Sequence, residues 1–439
     1  MKHNLNKKLT YVMALCAMTY SCKKANVTEI RPMYSSYPDT TKVLLMEDKY
    51  PYMKLVTNKA VHLQVNERKS NMAVPLDEDT FRVKVHYLPL ETNEDCLQGG
   101  IDKLEADDQS IFIFDDWNDK VLRFSQKDGS FMNSFGAKGR GPGEYIRISD
   151  MSLNRKKKEV CLIDNGGYKF LYYDYDGQLL REEPMFYYYY KVEFVGDYMV
   201  QYPGGSENTM APSVNHNYLI FARQSDQTPK YVGFPFSEQL ANEFGYGMTY
   251  PLVSCNGDVY FNHLLSDTIW QIKPNGTCEA KYVFKIPGRD NLFDENDFQN
   301  MSSALYEQKT QEAKCYYSDD IRITENFVFA RIRGGEDMLY CIPTGHCKYG
   351  MFYLKAFGET QLLGNADFLT LNGKSFVKIL QPDHILEHIK KEIECYVPLL
   401  GKTEEQLMDE WLTEEERQLL QKMTPEDNPI LMIIDIEPF

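Results

Sequence analysis

Residues 135–145, FGAKGRGPGEY, hold Gly136, Gly139, Gly141 and Gly143, with Arg140 and Glu144 between and beside them. Glycines at this density can cradle a phosphate with backbone N–H groups. The spacing does not fit that chemistry. GxxxxGK[ST] is absent, and a GxGxxG reading from Gly139 meets Glu144 where the last glycine belongs. A phosphate loop also sits between a strand and a helix, whereas a strand-like run, YIRISDMSLN, follows here. The stretch therefore reads as a structural turn, in which glycines supply unusual backbone angles and Pro142 stiffens the middle. Arg140 and Glu144 are its candidate ligand contacts, because a charged pair on such a loop could face a central channel.

Three other stretches invite a chemical reading. HILEH, residues 384–388, has the H-x-x-E-H pattern of inverted zinc proteases. On a helix, however, His384 and His388 lie about 40° apart, and Ile385, Leu386, Ile389 and Ile393 fall between about 100° and 200° from His384. The histidines then face away from the apolar stripe, and no zinc site is expected. DYDG, residues 174–177, lacks the first Asp and the final Glu of a calcium loop and reads as a hairpin turn. FYYYY, residues 186–190, would bury one alternating set of rings and present the other. Tyr188 and Tyr190 are its candidate contacts, able to stack on a sugar ring or a peptide. No GxSxG element, Cys–His constellation or carboxylate pair at recognisable spacing occurs, and isolated histidines such as His216, His263 and His346 read as structural or surface residues. Neither a metal nor another cofactor is expected.

The elements that position these residues follow from composition. The chain has 439 residues with 13% aromatics, including 31 Tyr and 24 Phe, and frequent β-branched runs. Such residues suit a pleated, half-buried surface. A net charge of −16 argues against a nucleic-acid partner, which requires a basic footprint. At the N-terminus, Lys2, Lys7 and Lys8 precede a short apolar run from Leu9 to Thr19, and Ser21 precedes Cys22. The run is too short to span a bilayer and reads as a cleaved signal. A cysteine at the cleavage point resembles a lipoprotein lipobox, in which Cys22 takes the lipid. Acidic residues do not follow Cys22, so the side of the outer membrane stays open. The remaining eight cysteines show no CxxC spacing. Buried free thiols are the default, with Cys341 and Cys347 the nearest pair if one disulfide forms.

Self-similarity supplies the architecture. A strand, a polar turn, a second strand and an Asp/Asn/Thr-Gly turn into a third strand recur at 111–136, 160–180, 258–278 and 327–347. The copies align on Gly129, Gly177, Gly276 and Gly345, and the residues closing the first strand are Asp115, Asp164, Asn262 and Arg331. The first two glycines are 48 residues apart, and the next gap of 99 leaves room for one degenerate copy at 197–235, with strands in DYMVQY and NYLIFARQ. Several short strands per unit at this period predict a β-propeller. Six blades are expected, roughly 90–150, 155–195, 196–250, 251–287, 320–358 and 360–439. FRVKVHYLPLE at 81–91 and NPILMIIDIEPF at 428–439 would share the last blade and close the ring. Helical insertions are expected at about 291–314 and 383–424. In the second, Thr403-x-x-Gln406 and Thr413-x-x-Glu416 are capping-box signals, and packing on the ring is the first reading of its apolar face.

LPLET (88–92), LRFSQKDGSFMNSFGAKGRGPGEY (122–145) and the C-terminal strand after EDNPI carry a resemblance. Over roughly residues 75–439 the chain resembles the six-bladed β-propeller lipoproteins of gut Gram-negative anaerobes, and is distantly similar to NHL-repeat propellers. The resemblance implies a lipid-anchored envelope protein of undefined ligand and hands over no catalytic residues. The expected organisation is a lipoprotein signal (1–21), a tether and lead-in (22–75) and an all-β, six-bladed propeller (76–439). The expected role is a binding or interaction module for an oligosaccharide, a peptide or an envelope protein partner, held to the membrane through Cys22. The alternative is a propeller hydrolase, lactonase or lyase with a metal-assisted site in the central channel, which requires His, Asp or Glu from several blades to converge.

Overall fold

Fully buried strands recur along the chain because each is sandwiched between neighbours on both faces, which removes the usual polar alternation. Ser110–Asp115 and Glu159–Asp164 are buried at every position, whereas the outlying Leu179–Pro184 is exposed or half-buried throughout. The computed structural model describes residues 46–64, 73–76, 81–204, 206–238, 250–263, 266–285, 300, 302, 304–305, 308, 318–332, 336–364 and 367–438. All fall within one of the chain's two units, Pro38–Phe439. The signal at 1–21, Cys22 and most of the helical reading at 291–314 lie outside the described residues.

The sheets form a six-bladed β-propeller of antiparallel blades. Blade one comprises Lys103–Ala106, Ser110–Asp115, Lys120–Ser125 and Phe131–Ser134. Blade two comprises Ile148–Asn154, Glu159–Asp164, Lys169–Asp174 and Leu179–Pro184. Blade three, the degenerate copy, comprises Lys191–Val195, Tyr198–Tyr202, Asn217–Arg223 and Pro229–Pro235. Blade four is built from Leu252–Cys255, Asp258–Asn262, Thr268–Ile272 and Thr277–Lys285. Blade five is built from Ser318–Ile323, Phe327–Ile332, Glu336–Cys341 and Cys347–Ala356, edged by Glu359–Leu362. Blade six joins Phe368–Leu371, Ser375–Leu380 and the C-terminal Ile430–Pro438 to the N-terminal Phe81–Pro89.

The first strands of successive blades touch one another around the whole ring. Blades two and three begin at 148 and 191, ahead of the expected 155 and 196, because the innermost strand precedes the recognisable repeat. The four aligned glycines adopt φ of 72°, 82°, 82° and 70°, the left-handed conformation that a side chain would strain. The lead-in is more than a tether. Lys54–Val56 and Val61–Gln64 pair in parallel with the outer strand of blade four, and Ala73–Pro75 with that of blade five.

The second insertion forms three helices, α1 (Pro382–Leu400), α2 (Glu404–Trp411) and α3 (Glu414–Leu420). Both expected capping boxes form, at Thr403 with Gln406 and at Thr413 with Glu416. Ile385 and Ile389 of α1 are buried with Leu412 against Phe352, Phe357 and Ile434 of the ring. His384 stays exposed. Among the described residues no helix is long and apolar enough to cross a membrane. Cys341 and Cys347 are free thiols, so the conceivable disulfide is absent. Cys341 packs in the core shared with blade six and Cys347 in the core shared with blade four, so their side chains leave opposite faces of blade five.

Candidate functional site in the central channel

The innermost strand of each blade borders the channel, so a charge within it is carried to the axis of the ring. Lys103 and Glu105, Asp150 and Ser152, Lys191 and Glu193, and Asp320 and Arg322 each lie two apart, on one face of their strand. Lys103 is the hub. Its Nζ lies 2.8 Å from Glu193 Oε1, 3.2 Å from Asp150 Oδ1 and 3.5 Å from Glu105 Oε1. Lys191 Nζ is 3.6 Å from Asp150 Oδ1, and Arg155 Nη2 is 3.1 Å from Glu105 Oε2. Ser152 Oγ donates to Glu193 Oε2 at 3.3 Å, and the Val192 N–H donates to Asp150 Oδ2 at 3.1 Å.

Across the ring, Arg322 Nε donates to the Phe368 carbonyl at 2.6 Å and Nη1 to the Ile321 carbonyl at 2.8 Å, with Asp320 also on Nη1. Its guanidinium carbon lies 4.0 Å from the centre of the Tyr250 ring, whose hydroxyl donates to the Asp102 carbonyl at 2.8 Å. Four cations thus face four carboxylates, a balance that buried charges require.

This environment shifts the proton affinities. Burial alone would lower the Lys103 ammonium, but Asp150, Glu193 and Glu105 outweigh it and hold the group above its ordinary range. Burial raises the Glu193 carboxyl, with Glu105 and Asp150 adding to the effect and Lys103 opposing it. Burial likewise pushes the Tyr250 phenol up to about 12 against the pull of Arg322.

Inside this lattice lies a cavity of about 170 Å³ to which all six blades contribute. Lys103, Glu105, Arg155, Glu193 and Arg322 supply charge, and Leu252, Leu369 and Tyr250 supply apolar wall. Arg322 and Glu105 are each 4% exposed. Glu105 is held between Arg155 and Lys103, and both it and Arg322 are closed off from solvent. Three carboxylates from three blades, Glu105, Asp150 and Glu193, do converge, but around the Lys103 ammonium. Among the described residues no group of three His, Cys, Asp or Glu is arranged to hold a metal.

The sequence-derived candidates do not line this cavity. In FGAKGRGPGEY, Glu144 Oε2 accepts the Gly141 N–H at 2.6 Å, and Gly139 donates to the Tyr145 carbonyl at 2.8 Å. A Cβ at Gly139 would lie 2.0 Å from Glu144 Oε2, so a side chain there would displace the Glu144 carboxylate. The Gly143 carbonyl accepts from Tyr173 and its N–H donates to Glu182, which seats the loop on the outer two strands of blade two. Glu144 thus holds the turn, and Arg140 is exposed beside it.

Tyr187 and Tyr189 are buried while Tyr188 and Tyr190 are half-buried, the alternation expected, though the segment is a loop. Tyr188 exchanges two hydrogen bonds with Asn208 through its backbone. The Tyr190 ring lies 5.0 Å from Lys191 Nζ, and its phenol is raised by burial and by Asp116, Asp150 and Asp102. Asp164 accepts three backbone N–H groups, from Ile146, Arg147 and Gly167, and Asp115 accepts from Gly99 and Asn118. Their equivalence between blades is turn chemistry. The channel charges were not singled out from sequence, although KLEA, KVEFV and DDIRI carry the signal: charge at i, i+2 inside strands that a ring buries.

A solved structure of a Bacteroides fragilis NCTC 9343 protein, named as exported, matches with a TM-score of 0.62 at 18% identity, over 86% of this chain and 100% of that one. A member of the DUF4221 family from Bacteroides vulgatus ATCC 8482 gives 0.46 at 8% identity, over 82% and 99%. The first likeness is one of fold. No curated protein matches the sequence. Residues 61–435 match the profile of the domain of unknown function DUF4934.

Proposed function

The chain belongs to the DUF4934 family, and on that premise we propose that it is a lipid-anchored envelope binding module whose ligand is a small charged molecule held in the central channel. The observation that carries this reading is the channel cavity to which every blade contributes, with Lys103, Glu105, Arg155, Glu193 and Arg322 in its wall. A charged wall of this kind favours a ligand that itself carries charge, because a neutral one would desolvate these side chains without offering them a partner. Of the ligand classes open from sequence, this favours the chemistry of peptides and their building blocks over neutral oligosaccharides or a flat protein surface. The test is calorimetric titration of the mature protein with glycan, peptide and charged small-molecule panels. Binding of a charged small molecule that is lost in Arg322→Lys supports the reading, and binding confined to neutral glycans overturns it.

The envelope address rests on the signal-like N-terminus ending at Ser21 and Cys22. The exported name of the Bacteroides fragilis protein that shares the fold supports it. Cys22→Ser is expected to move the chain from the membrane to the soluble fraction of its host. Retention on the membrane would remove the anchor from the proposal.

A further inference from the structure

We infer that the channel is blind: Tyr250 bars one end, and solutes reach the cavity only through the other, past the turns that join the first and second strands of the blades. The inference goes beyond the channel-ligand reading, because it concerns the way in and not the ligand. In a propeller the first strands run the same way along the axis, so each starts at one mouth and ends at the other.

At the starting mouth the Tyr250 hydroxyl donates to the Asp102 carbonyl at 2.8 Å. Tyr250 leads into blade four and Asp102 into blade one, which stand opposite each other in a ring of six. This hydrogen bond therefore crosses the axis. The Tyr250 side chain packs against the core shared by blades one and six. Arg322 of blade five stacks on its ring at 4.0 Å and is tied to blade six through the Phe368 carbonyl. Lys103, next to Asp102, reaches Asp150 of blade two and Glu193 of blade three. All six blades are joined through this one layer.

At the other end the turns bond along the rim instead. Arg155 Nη2 donates to the Ala106 carbonyl at 3.3 Å, Lys156 Nζ to Asp197 Oδ1 at 2.9 Å and Asn372 Nδ2 to Asp108 Oδ1 at 3.1 Å. The Glu325 N–H donates to the Gly373 carbonyl at 2.8 Å. Exposure follows the same direction. Tyr250, Leu252, Ser254 and Asn256 lie two apart along blade four, and all four line the cavity. Asn256 is exposed, Ser254 is half-buried and Leu252 is only 6% exposed, so water reaches this wall from the Asn256 end. Blade six repeats the gradient, with Asn372 and Thr370 half-buried and Phe368 buried. FGAKGRGPGEY and FYYYY lead into the first strands of blades two and three, which places both on the barred face.

The test is thiol accessibility, which needs no ligand. It uses the mature protein carrying Cys22→Ser and Cys395→Ser, because the other cysteines among the described residues are buried. Ser254→Cys and Leu252→Cys are introduced separately and treated with methyl methanethiosulfonate. The thiolate takes the methylthio group to form a mixed disulfide, and methanesulfinate leaves. Ser254→Cys is expected to react at least tenfold faster than Leu252→Cys. Tyr250→Ala is expected to speed Leu252→Cys at least tenfold while leaving Ser254→Cys unchanged. Equal rates at the two positions would show both ends open, and a Leu252→Cys rate unmoved by Tyr250→Ala would show that Tyr250 is not the bar. Either result overturns the inference. The first comparison retains Tyr250, so it decides the matter even where Tyr250→Ala does not fold. Neither result bears on whether a charged ligand binds, which the calorimetric panel decides.

Discussion

His263 follows the second strand of blade four, with its ring 4.9 Å from Phe234, 5.5 Å from Phe261 and 5.4 Å from Tyr218. Burial drives its pKa from the ordinary 6.5 down to about 3. The unfolded chain therefore takes up this proton near pH 6.5, while the native imidazole stays neutral until about pH 3. Stability from this group is full above pH 6.5 and is lost as pH falls through that window, by about 2 kcal/mol between pH 6.5 and 4.5. His263→Phe, which suits the aromatic surroundings, is expected to lose that much less stability over the same interval in urea unfolding. Equal pH slopes for the two proteins would count against the assignment. The sequence reading left His263 as structural or surface, and it is buried. The channel charges were harder to see, because the Lys191 and Glu193 of KVEFV look like the polar face of an ordinary exposed strand. Only closure of the ring turns that face onto an axis shared with Lys103 and Asp150.

At the scale of elements, legibility followed how local the determining interaction is. The turn glycines were visible because a left-handed backbone at one point of each hairpin restricts the residue type directly. The innermost strands of blades two and three fell ahead of the expected starts of those blades, since nothing local marks them as the beginning of a repeat. The helices divide in the same way. Thr413 and Glu416 formed the capping box read from their spacing, which needs only the helix itself. Nothing local indicated that Glu416 Oε1 also accepts from the Tyr87 hydroxyl at 2.6 Å and the Phe357 N–H at 2.8 Å. That buried carboxylate ties α3 to the N-terminal strand of blade six and to the edge turn of blade five. The insertion therefore packs as a brace on the two blades nearest the ring's closure.

For the whole molecule, two N-terminal devices act on the ring and differ in what their loss should do. Phe81–Pro89 pairs along all nine residues with Ile430–Pro438 and is the fourth strand of a blade, so the ring cannot close without it. The segment before it runs along the outside. Met53 bonds to blade three through Val232, then Lys54–Val56 and Val61–Gln64 cover the edge of blade four, and Ala73–Pro75 covers that of blade five. Met53, Leu63, Val74 and Leu76 are buried by this path, each contributing about 1.5–3 kcal/mol before the entropy of ordering the belt is deducted. Those edges are strand templates once uncovered. A chain lacking residues 23–76 is therefore expected to keep its propeller but to melt several degrees lower and to associate as concentration rises. Extending the deletion through Pro89 is expected to abolish the folded state. Circular dichroism melts and sedimentation at several concentrations separate the two. A first deletion that is as stable and as monomeric as the full protein would show that the belt is a passive tether. A second that still melts cooperatively would show that blade six closes without its N-terminal strand.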